Sequence, residues 1–188
     1  MNPFVRTTEG SPGATTATDE PGRLTVLVGA ASKHGATYEI ARAIGDVLEA
    51  DGLAVVVKSL DDVVTLAPYD AFVLGSAIYA GRWLRDARHF VETHADVLAA
   101  RPAWFFSSGP VGDADGRSET FDDAWLLEAT GAREHRIFAG RIAKGDLGLA
   151  ERTITRALHV PDGDDRDWAA ISTWATMIVG ALHARSVA

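Results

Sequence analysis

The chain has 188 residues, of which 47% are hydrophobic and 23% charged, with a net charge of −8 and no cysteine. This composition is typical of a globular protein with one sizeable core, and the lack of cysteine excludes disulfides, thiolate metal sites and cysteine nucleophiles. The acidic balance, without a Lys/Arg block, argues against nucleic acid as a partner. No apolar run approaches the roughly 20 residues that span a bilayer, so we expect a cytoplasmic protein.

Residues 1–22 differ in composition from the rest of the chain. They are rich in Thr, Gly, Pro, Ser and Ala, and contain only one Phe and one Val. Such a segment cannot bury enough apolar surface to offset the entropy lost on ordering. We therefore predict a disordered tail over 1–22 and a single domain over 23–188. A targeting peptide is the disfavoured alternative, because the segment lacks an apolar core and carries acidic residues.

From residue 23 onward, short β-branched or aromatic runs alternate with stretches of helical periodicity. In chain order, the predicted elements are the strand Leu24–Gly29, the helix Ala36–Ala50, the strands Leu53–Leu60 and Ala71–Gly75, the helix Trp83–Ala99, the strand Ala103–Ser107, the helix Glu119–Ala129, the strand Arg136–Ala139 and the helices Leu149–Leu158 and Trp168–Leu182. The last helix carries an apolar stripe that we expect to pack in the core, formed by Trp168, Ile171, Trp174, Ile178 and Leu182. Five strands with intervening helices predict an α/β fold, in which helices cover both faces of a parallel sheet.

The loop after the first strand, Ala30–Thr37, is a candidate site, because ligands of open parallel sheets bind beyond the carboxyl ends of the strands. It supplies the hydroxyls of Ser32 and Thr37, and Gly35 and small neighbours leave backbone N–H groups accessible. The start of the following helix adds free N–H donors and a partial positive charge, which suit a phosphate. On spacing alone, a plain helix N-cap formed by Ser32 or Thr37 is an equally good interpretation.

A resemblance supports the phosphate interpretation. The pattern Ser32-x-x-Gly35-x-Thr37-x-x-x-Ala41-x-x-Ile44 resembles the signature with which flavodoxins bind the phosphate of FMN. The resemblance implies FMN as the cofactor and a doubly wound, five-stranded sheet in the order 2-1-3-4-5. It also implies which residues contact the phosphate, namely Ser32, Lys33, His34, Gly35, Ala36 and Thr37.

Two further loops are candidates for the flavin ring. In Gly75–Trp83, two glycines allow close backbone approach, Tyr79 and Trp83 offer flat faces, and the equivalent loop of flavodoxin-like proteins lies along the isoalloxazine. The loop Ser107–Asp113 offers backbone donors and acceptors for the polar edge of the ring. The alternatives are aromatic side chains that merely cover the sheet edge, and a tight Gly-Pro turn. The ring-contacting residues predicted in these loops are Ser76, Ala77, Ile78, Tyr79, Gly81, Ser107, Ser108, Gly109, Pro110, Val111, Gly112 and Asp113.

Three longer stretches are similar to the menaquinone-dependent protoporphyrinogen oxidase family of flavodoxin-like proteins, namely Val73–Gly81, Arg136–Ile142 and Asp167–Trp174. The resemblance implies an FMN-dependent oxidoreductase that acts on a small hydrophobic substrate such as a porphyrinogen. A quinone or a redox protein would be its partner, with peripheral membrane contact. Because the flavin carries the redox chemistry, no catalytic side chain is predicted. In such an oxidase, the loop Tyr79–Trp83 would shape an apolar slot over the flavin.

The sequence leaves two alternatives open: a flavodoxin-type electron carrier without its own substrate, and an interaction module that kept the fold and lost the flavin. A carrier exposes only the flavin edge, whereas an oxidase needs a cleft beside it. No metal site is predicted. His89 and His94 do not share a helical face, and Asp162–Asp167 lacks the spacing of a calcium-binding loop, so we interpret this cluster as a solvated acidic turn.

Overall fold

The computed structural model describes residues 23–79, 81–109, 124–142 and 163–186. The predicted tail and the predicted helix Leu149–Leu158 lie outside these residues. In chain order, the described elements are β1 (Thr25–Ala31), α1 (Ala36–Ala50), β2 (Ala54–Ser59), a 3₁₀ turn (Leu60–Asp62), β3 (Ala71–Tyr79), β4 (Arg82–Trp83), α2 (Arg85–Thr93), α3 (Ala95–Ala100), β5 (Ala103–Gly109), α4 (Ala124–Thr130), β6 (Glu134–Ala139), β7 (Arg141–Ile142), β8 (Gly163–Asp164) and α5 (Trp168–Ser186).

Five strands form one parallel sheet in the order β2-β1-β3-β5-β6. Among the parallel strands alone this is the order 2-1-3-4-5, so the predicted doubly wound α/β fold is confirmed. The strand order reverses between β1 and β3, which makes the carboxyl ends of these strands the expected ligand position. β4 extends the end of β3 as an antiparallel pair, in which Ile78 lies opposite Trp83 and Tyr79 opposite Arg82. A separate antiparallel pair joins β7 to β8.

The core lies in two layers, because alternate residues of each strand point to opposite faces of the sheet. From β1, Val26 and Val28 pack in the layer that contains α1 and α5. Leu27, between them, packs in the layer that contains α2, α3 and α4. α1 approaches β2 closely at Gly45, where a Cβ atom would lie 2.6 Å from Val57 Cγ2. The two faces of the sheet are therefore both covered, and its strand ends are left to carry a ligand.

The predicted helix Trp83–Ala99 is wrong at its start. The helix begins at Arg85 and is interrupted at His94, which separates α2 from α3, and Trp83 belongs to β4. The indole N–H of Trp83 donates to Ser107 Oγ at 2.7 Å. This bond ties Trp83 to the sheet, so the chain continues as a strand pair before it turns into the helix.

The expected burial of Trp168 is also wrong, because its side chain is 41% exposed. The guanidinium of Arg166 lies 4.5 Å from the centroid of its ring and covers one face. The other four residues of the predicted stripe are buried, as expected: Ile171, Trp174, Ile178 and Leu182. The part of α5 that packs in the core therefore starts at Ile171.

Candidate functional site

The first candidate loop connects β1 to α1 through a left-handed glycine. Gly35 is the N-cap of α1 and has a φ of +82°, a conformation that favours glycine. Its carbonyl accepts the Glu39 N–H at 3.0 Å, and Ser32 Oγ accepts the Thr37 N–H at 3.3 Å. Gly35, and neither Ser32 nor Thr37, occupies the N-cap position, although the Ser32 hydroxyl accepts one N–H of the first helical turn in the way a capping side chain does.

This loop has the geometry of an anion site. The N–H groups of the first helical turn have no intrahelical acceptors, and the helix dipole adds positive charge to them. Ser32 accepts a bond through its oxygen, so its own O–H is able to donate to a ligand. Thr37 is 1% exposed, so its side chain is not accessible at the surface of the loop. A Cβ atom at Gly35 would meet nothing within 4 Å, so the outer side of the loop is open.

Arg166 fastens the start of α1 to the strand pair β7–β8. Its side chain is only 3% exposed. Nη1 donates to Glu39 Oε2 at 2.7 Å and to the Ala36 carbonyl at 3.3 Å. Nε and Nη2 donate to the two carboxylate oxygens of Asp164 at 2.6 and 2.5 Å, and Arg141 Nη2 lies 3.1 Å from Glu39 Oε1. We call Glu39, Arg141, Asp164 and Arg166 the clasp.

The clasp compensates a negative charge that would otherwise disfavour a phosphate. Glu39 lies in the first turn of α1, and two guanidinium groups contact its carboxylate. The hydrogen bond from Arg166 holds the pKa of Asp164 below its ordinary value, and the bonds to Asp164 and Glu39 raise the pKa of Arg166 against the effect of burial. Both groups are therefore charged at neutral pH.

The clasp was not predicted from the sequence. The acidic cluster Asp162–Asp167 was expected to be solvated, yet Asp164 is paired with Arg166. The one local signal is the alternation of acidic and basic residues around Arg166. Its second partner, Glu39, is 127 positions away in the chain, which no local pattern reveals.

The second loop contacts the first one through Tyr79. This side chain is 36% exposed, and Lys33 Nζ lies 5.4 Å from the centroid of its ring. Ser76 has a different role, since its hydroxyl accepts the Leu84 N–H at 3.1 Å and thereby fixes the turn into α2. Gly81 has a φ of +69°, which lets the chain reverse between β3 and β4.

The second and third loops also meet. A Cβ atom at Gly109 would lie 2.9 Å from Ile78 Cβ, so glycine allows the two strand ends to approach. Ala77 lies opposite Ser108 in the register of β3 and β5, and Ser108 is 4% exposed. The remaining predicted residues of this loop, Pro110–Asp113, lie outside the described residues. The predicted loops thus converge at the ends of three adjacent strands.

Ser107 forms a buried polar contact behind this edge. Its hydroxyl accepts the Trp83 indole N–H at 2.7 Å and lies 2.8 Å from His135 Nε2. Trp83 packs edge-on against Phe105, with ring centroids 5.6 Å apart. The Ser107 hydroxyl therefore holds Trp83 in place. His135 was not predicted as part of this contact, because it precedes the predicted start of its strand.

A cavity of about 210 Å³ lies beside Trp83. Its lining residues are Arg82, Trp83, Arg88 and Trp125, and we call it the arginine cavity. The guanidinium of Arg88 lies 5.3 Å from the Trp125 ring centroid. The slot expected at Tyr79–Trp83 was apolar, whereas this cavity combines two indoles with two cationic groups.

Residues 27–168 match a profile of the flavodoxin domain. This chain belongs to the flavodoxin domain family. The match begins within β1 and covers the other four parallel strands and the three loops at the strand ends. It confirms the predicted cofactor, FMN, at the level of this family. No curated protein matches the sequence significantly.

Solved structures with the same fold include proteins of different kinds. Rubredoxin oxygen:oxidoreductase from Desulfovibrio gigas has 14% identity and a TM-score of 0.58 over 89% of this chain, which spans 37% of that chain. A point mutant of flavodoxin from Pseudomonas aeruginosa has 20% identity and a TM-score of 0.56, with 85% of this chain and 99% of that chain covered. A flavodoxin from the domain Archaea has 22% identity and a TM-score of 0.51, with 72% and 99% covered. At these identities the likeness shows the fold.

The flavodoxin-type loop fits the phosphate end of FMN. The open outer side at Gly35 and the first-turn N–H groups are what a phosphate needs, and the guanidinium groups of the clasp offset the negative charge of Glu39. Within the described part of the chain, no group of three or more His, Cys, Asp or Glu is arranged to hold a metal ion. Among the same residues, no helix is both long and apolar enough to cross a bilayer.

Proposed function

We propose that this flavodoxin-domain protein is an FMN-dependent oxidoreductase that oxidises a reduced organic compound and passes the electrons to a quinone. A porphyrinogen is the first substrate to test, on the resemblance of three stretches to the protoporphyrinogen oxidases. FMN supplies the redox chemistry, and the protein supplies position, electrostatics and access. The proposed place of action is the cytoplasm, with peripheral membrane contact wherever the quinone is dissolved in lipid.

The phosphate end of the proposed site is supported by the loop before α1. In our proposal, Ser32 and the first-turn N–H groups bind the phosphate oxygens, and Gly35 gives the backbone the turn that brings these groups together. Lys33 adds a positive charge on the same loop. Charge-assisted hydrogen bonds of this kind are stronger than neutral ones, so most of the cofactor's binding free energy would come from this end.

The ring end of the proposed site is supported by the loops after β3 and β5. Tyr79 is the exposed aromatic residue of the second loop, and a planar ring stacks favourably on such a side chain. Ser108 and Gly109 end β5 next to Ile78, and their backbone groups would lie at the polar edge of the ring. Ser76 and Ser107 would act indirectly, because their hydroxyls hold the surrounding turns.

The arginine cavity is the observation that favours an enzyme over a carrier. A carrier needs only an exposed flavin edge, through which electrons leave. Here a built cavity lies next to the loop proposed for the ring, since Arg82 is the direct cross-strand partner of Tyr79. In an oxidase, a cavity beside the flavin would bind part of the compound that is oxidised.

The test starts from the purified full chain. We expect its extracted chromophore to be FMN, and we expect anaerobic oxidation of protoporphyrinogen to require both the flavin-loaded protein and an added menaquinone analogue. The flavin-stripped protein is the control for spontaneous oxidation. Rapid flavin reduction by a reductase, with no oxidation of any organic compound tested, would instead establish a carrier. Protein that neither contains nor takes up a flavin would refute the proposal.

A further inference from the structure

We propose that the arginine cavity binds a carboxylate group carried by an aromatic or otherwise planar organic anion. The role of this anion as the compound oxidised at the flavin rests on the proposed function, whereas its binding does not. We assign a ligand class to four residues, Arg82, Trp83, Arg88 and Trp125, of which Arg88 and Trp125 lie outside every loop predicted to contact a ligand.

The two guanidinium groups of the cavity are weakly paired within the described part of the chain. There, Arg88 forms an ion pair with Glu92 of the same helix, at the long distance of 3.8 Å, and Arg82 forms none. The Nε atom of Arg88 is buried and has no hydrogen-bond partner among the same residues. This atom has no accessible surface, so the donors that Arg88 can offer to a ligand are its terminal Nη groups, in a side chain that is 39% exposed. Arg82 is exposed, and because neither guanidinium has a close ion-pair partner among the described residues, the two groups lining one cavity point to an external anion that accepts from both.

A carboxylate matches these donors better than a small spherical anion. The guanidinium group is planar and presents its N–H donors as a fork whose spacing fits the two oxygens of a carboxylate. Of the two indole rings in the lining, Trp83 is buried, whereas Trp125 is half-buried and offers a surface on which a planar body packs favourably. An aromatic acid satisfies both features at once, because its charge meets Arg82 and Arg88 while its ring packs on Trp125, beside the edge of Trp83.

The walls are held in place before any ligand arrives. Trp83 is 4% exposed, bonded to Ser107 and packed edge-on against Phe105. The Arg88 guanidinium is kept over the Trp125 ring at 5.3 Å. A preorganised site loses less conformational entropy on binding than a mobile one. The cavity therefore exists before the ligand binds, and binding does not require these side chains to rearrange.

The size and position of the cavity indicate that it holds one end of a larger molecule. Its volume of about 210 Å³ is below the roughly 300–1,000 Å³ of pockets that enclose a whole small-molecule ligand. Arg82 and Tyr79 are cross-strand partners, so their side chains lie on the same side of the strand pair. A molecule anchored at Arg82 thus has its remaining part next to the loop proposed for the flavin ring.

The experiment uses the ¹⁵N-labelled, flavin-loaded full chain titrated with benzoate, and with benzamide as the neutral compound of the same shape. We expect benzoate to shift the indole N–H signals of Trp83 and Trp125, and benzamide to leave them in place. Arg82→Gln and Arg88→Gln should each weaken benzoate binding about tenfold or more, as expected for a lost hydrogen bond between charged groups. Arg85→Gln is the matched control, since it removes the same charge from an exposed residue of α2, and should leave the affinity unchanged.

Several results would overturn the inference: unshifted indole signals, equal shifts with benzamide, equal shifts with inorganic phosphate, or the same loss in Arg85→Gln as in the two cavity variants. The flavin content of each sample is measured from its visible absorbance. Flavin-loaded protein that ignores benzoate contradicts this inference and leaves the proposed function standing. Benzoate binding by a chain that takes up no FMN supports the anion site and contradicts the proposed function.

Discussion

Replacing Arg166 with Met tests the structural role of the clasp. Methionine keeps an apolar stem of similar length and removes the guanidinium, together with its four side-chain hydrogen bonds to Asp164, Glu39 and the Ala36 carbonyl. The Arg166 side chain is 3% exposed, but its two carboxylate partners are each 42% exposed. Water can therefore solvate the carboxylates once the guanidinium is gone.

This exposure sets the expected magnitude. A hydrogen bond to a charged group contributes about 1.5–3 kcal/mol when it is shielded, whereas exposed ion pairs contribute about 0–1 kcal/mol. We expect Arg166→Met to lower the free energy of unfolding by about 1–3 kcal/mol in total, well below the sum over its bonds. FMN affinity should fall about two- to fivefold, because Glu39 then faces the phosphate with Arg141 alone, and a charge at a helix terminus contributes about 0.3–1 kcal/mol.

Urea denaturation and flavin titration measure the two effects. The matched control is Arg136→Met, which removes an arginine from an exposed pair with Glu134 at 3.3 Å and should change stability by at most about 1 kcal/mol. Equal losses of stability in Arg166→Met and Arg136→Met, or unaltered FMN affinity in Arg166→Met, would refute the reasoning.

Three more predictions concern acid stability, the phosphate loop and the buried indole. Arg166 lowers the pKa of Asp164 in the folded state, so the pair stabilises the fold at pH values above the unfolded pKa of about 3.9. This stabilisation is lost as the pH falls through the lower, folded pKa. The acid unfolding curve of Asp164→Asn should lack this component, and a curve identical to that of the wild type would contradict the prediction. Ser32→Ala should weaken FMN binding about tenfold or more, the value of one hydrogen bond to a charged group, and should lower stability by only about 1 kcal/mol; flavin titration and urea denaturation check the two effects, and an unchanged Kd would count against the phosphate assignment. Trp83→Phe should lower stability by about 0.5–1.5 kcal/mol, since it removes one buried hydrogen bond while His135 Nε2 stays beside the Ser107 hydroxyl, and a neutral result in thermal unfolding would speak against that bond.

The elements that local patterns determine were predicted well. The helix Ala36–Ala50 has the predicted bounds, because its apolar stripe is followed by Gly52, which favours the end of a helix. The five parallel strands were each found within a few residues. The order of these strands in the sheet was predicted from the resemblance to flavodoxins. The hydrophobic periodicity of the sequence predicts strands but not their order.

The features that depend on distant residues were not predicted. The two-residue strand β4 exists because Trp83 bonds to Ser107 on another strand, and a helical pattern was the better local interpretation of that segment. The clasp joins Arg166 to Glu39 across the chain. The arginine cavity likewise combines β4, α2 and α4, so its charge became visible only once these elements were packed together.

The central claim is that the loop Ser32–Thr37 binds the phosphate of FMN. The most direct measurement compares the affinities of the flavin-stripped protein for FMN and for riboflavin, which has the same ring and lacks the phosphate. If two or more charge-assisted hydrogen bonds hold the phosphate, FMN should bind ~10²-fold or more tightly than riboflavin. Equal affinities for the two compounds would contradict the claim.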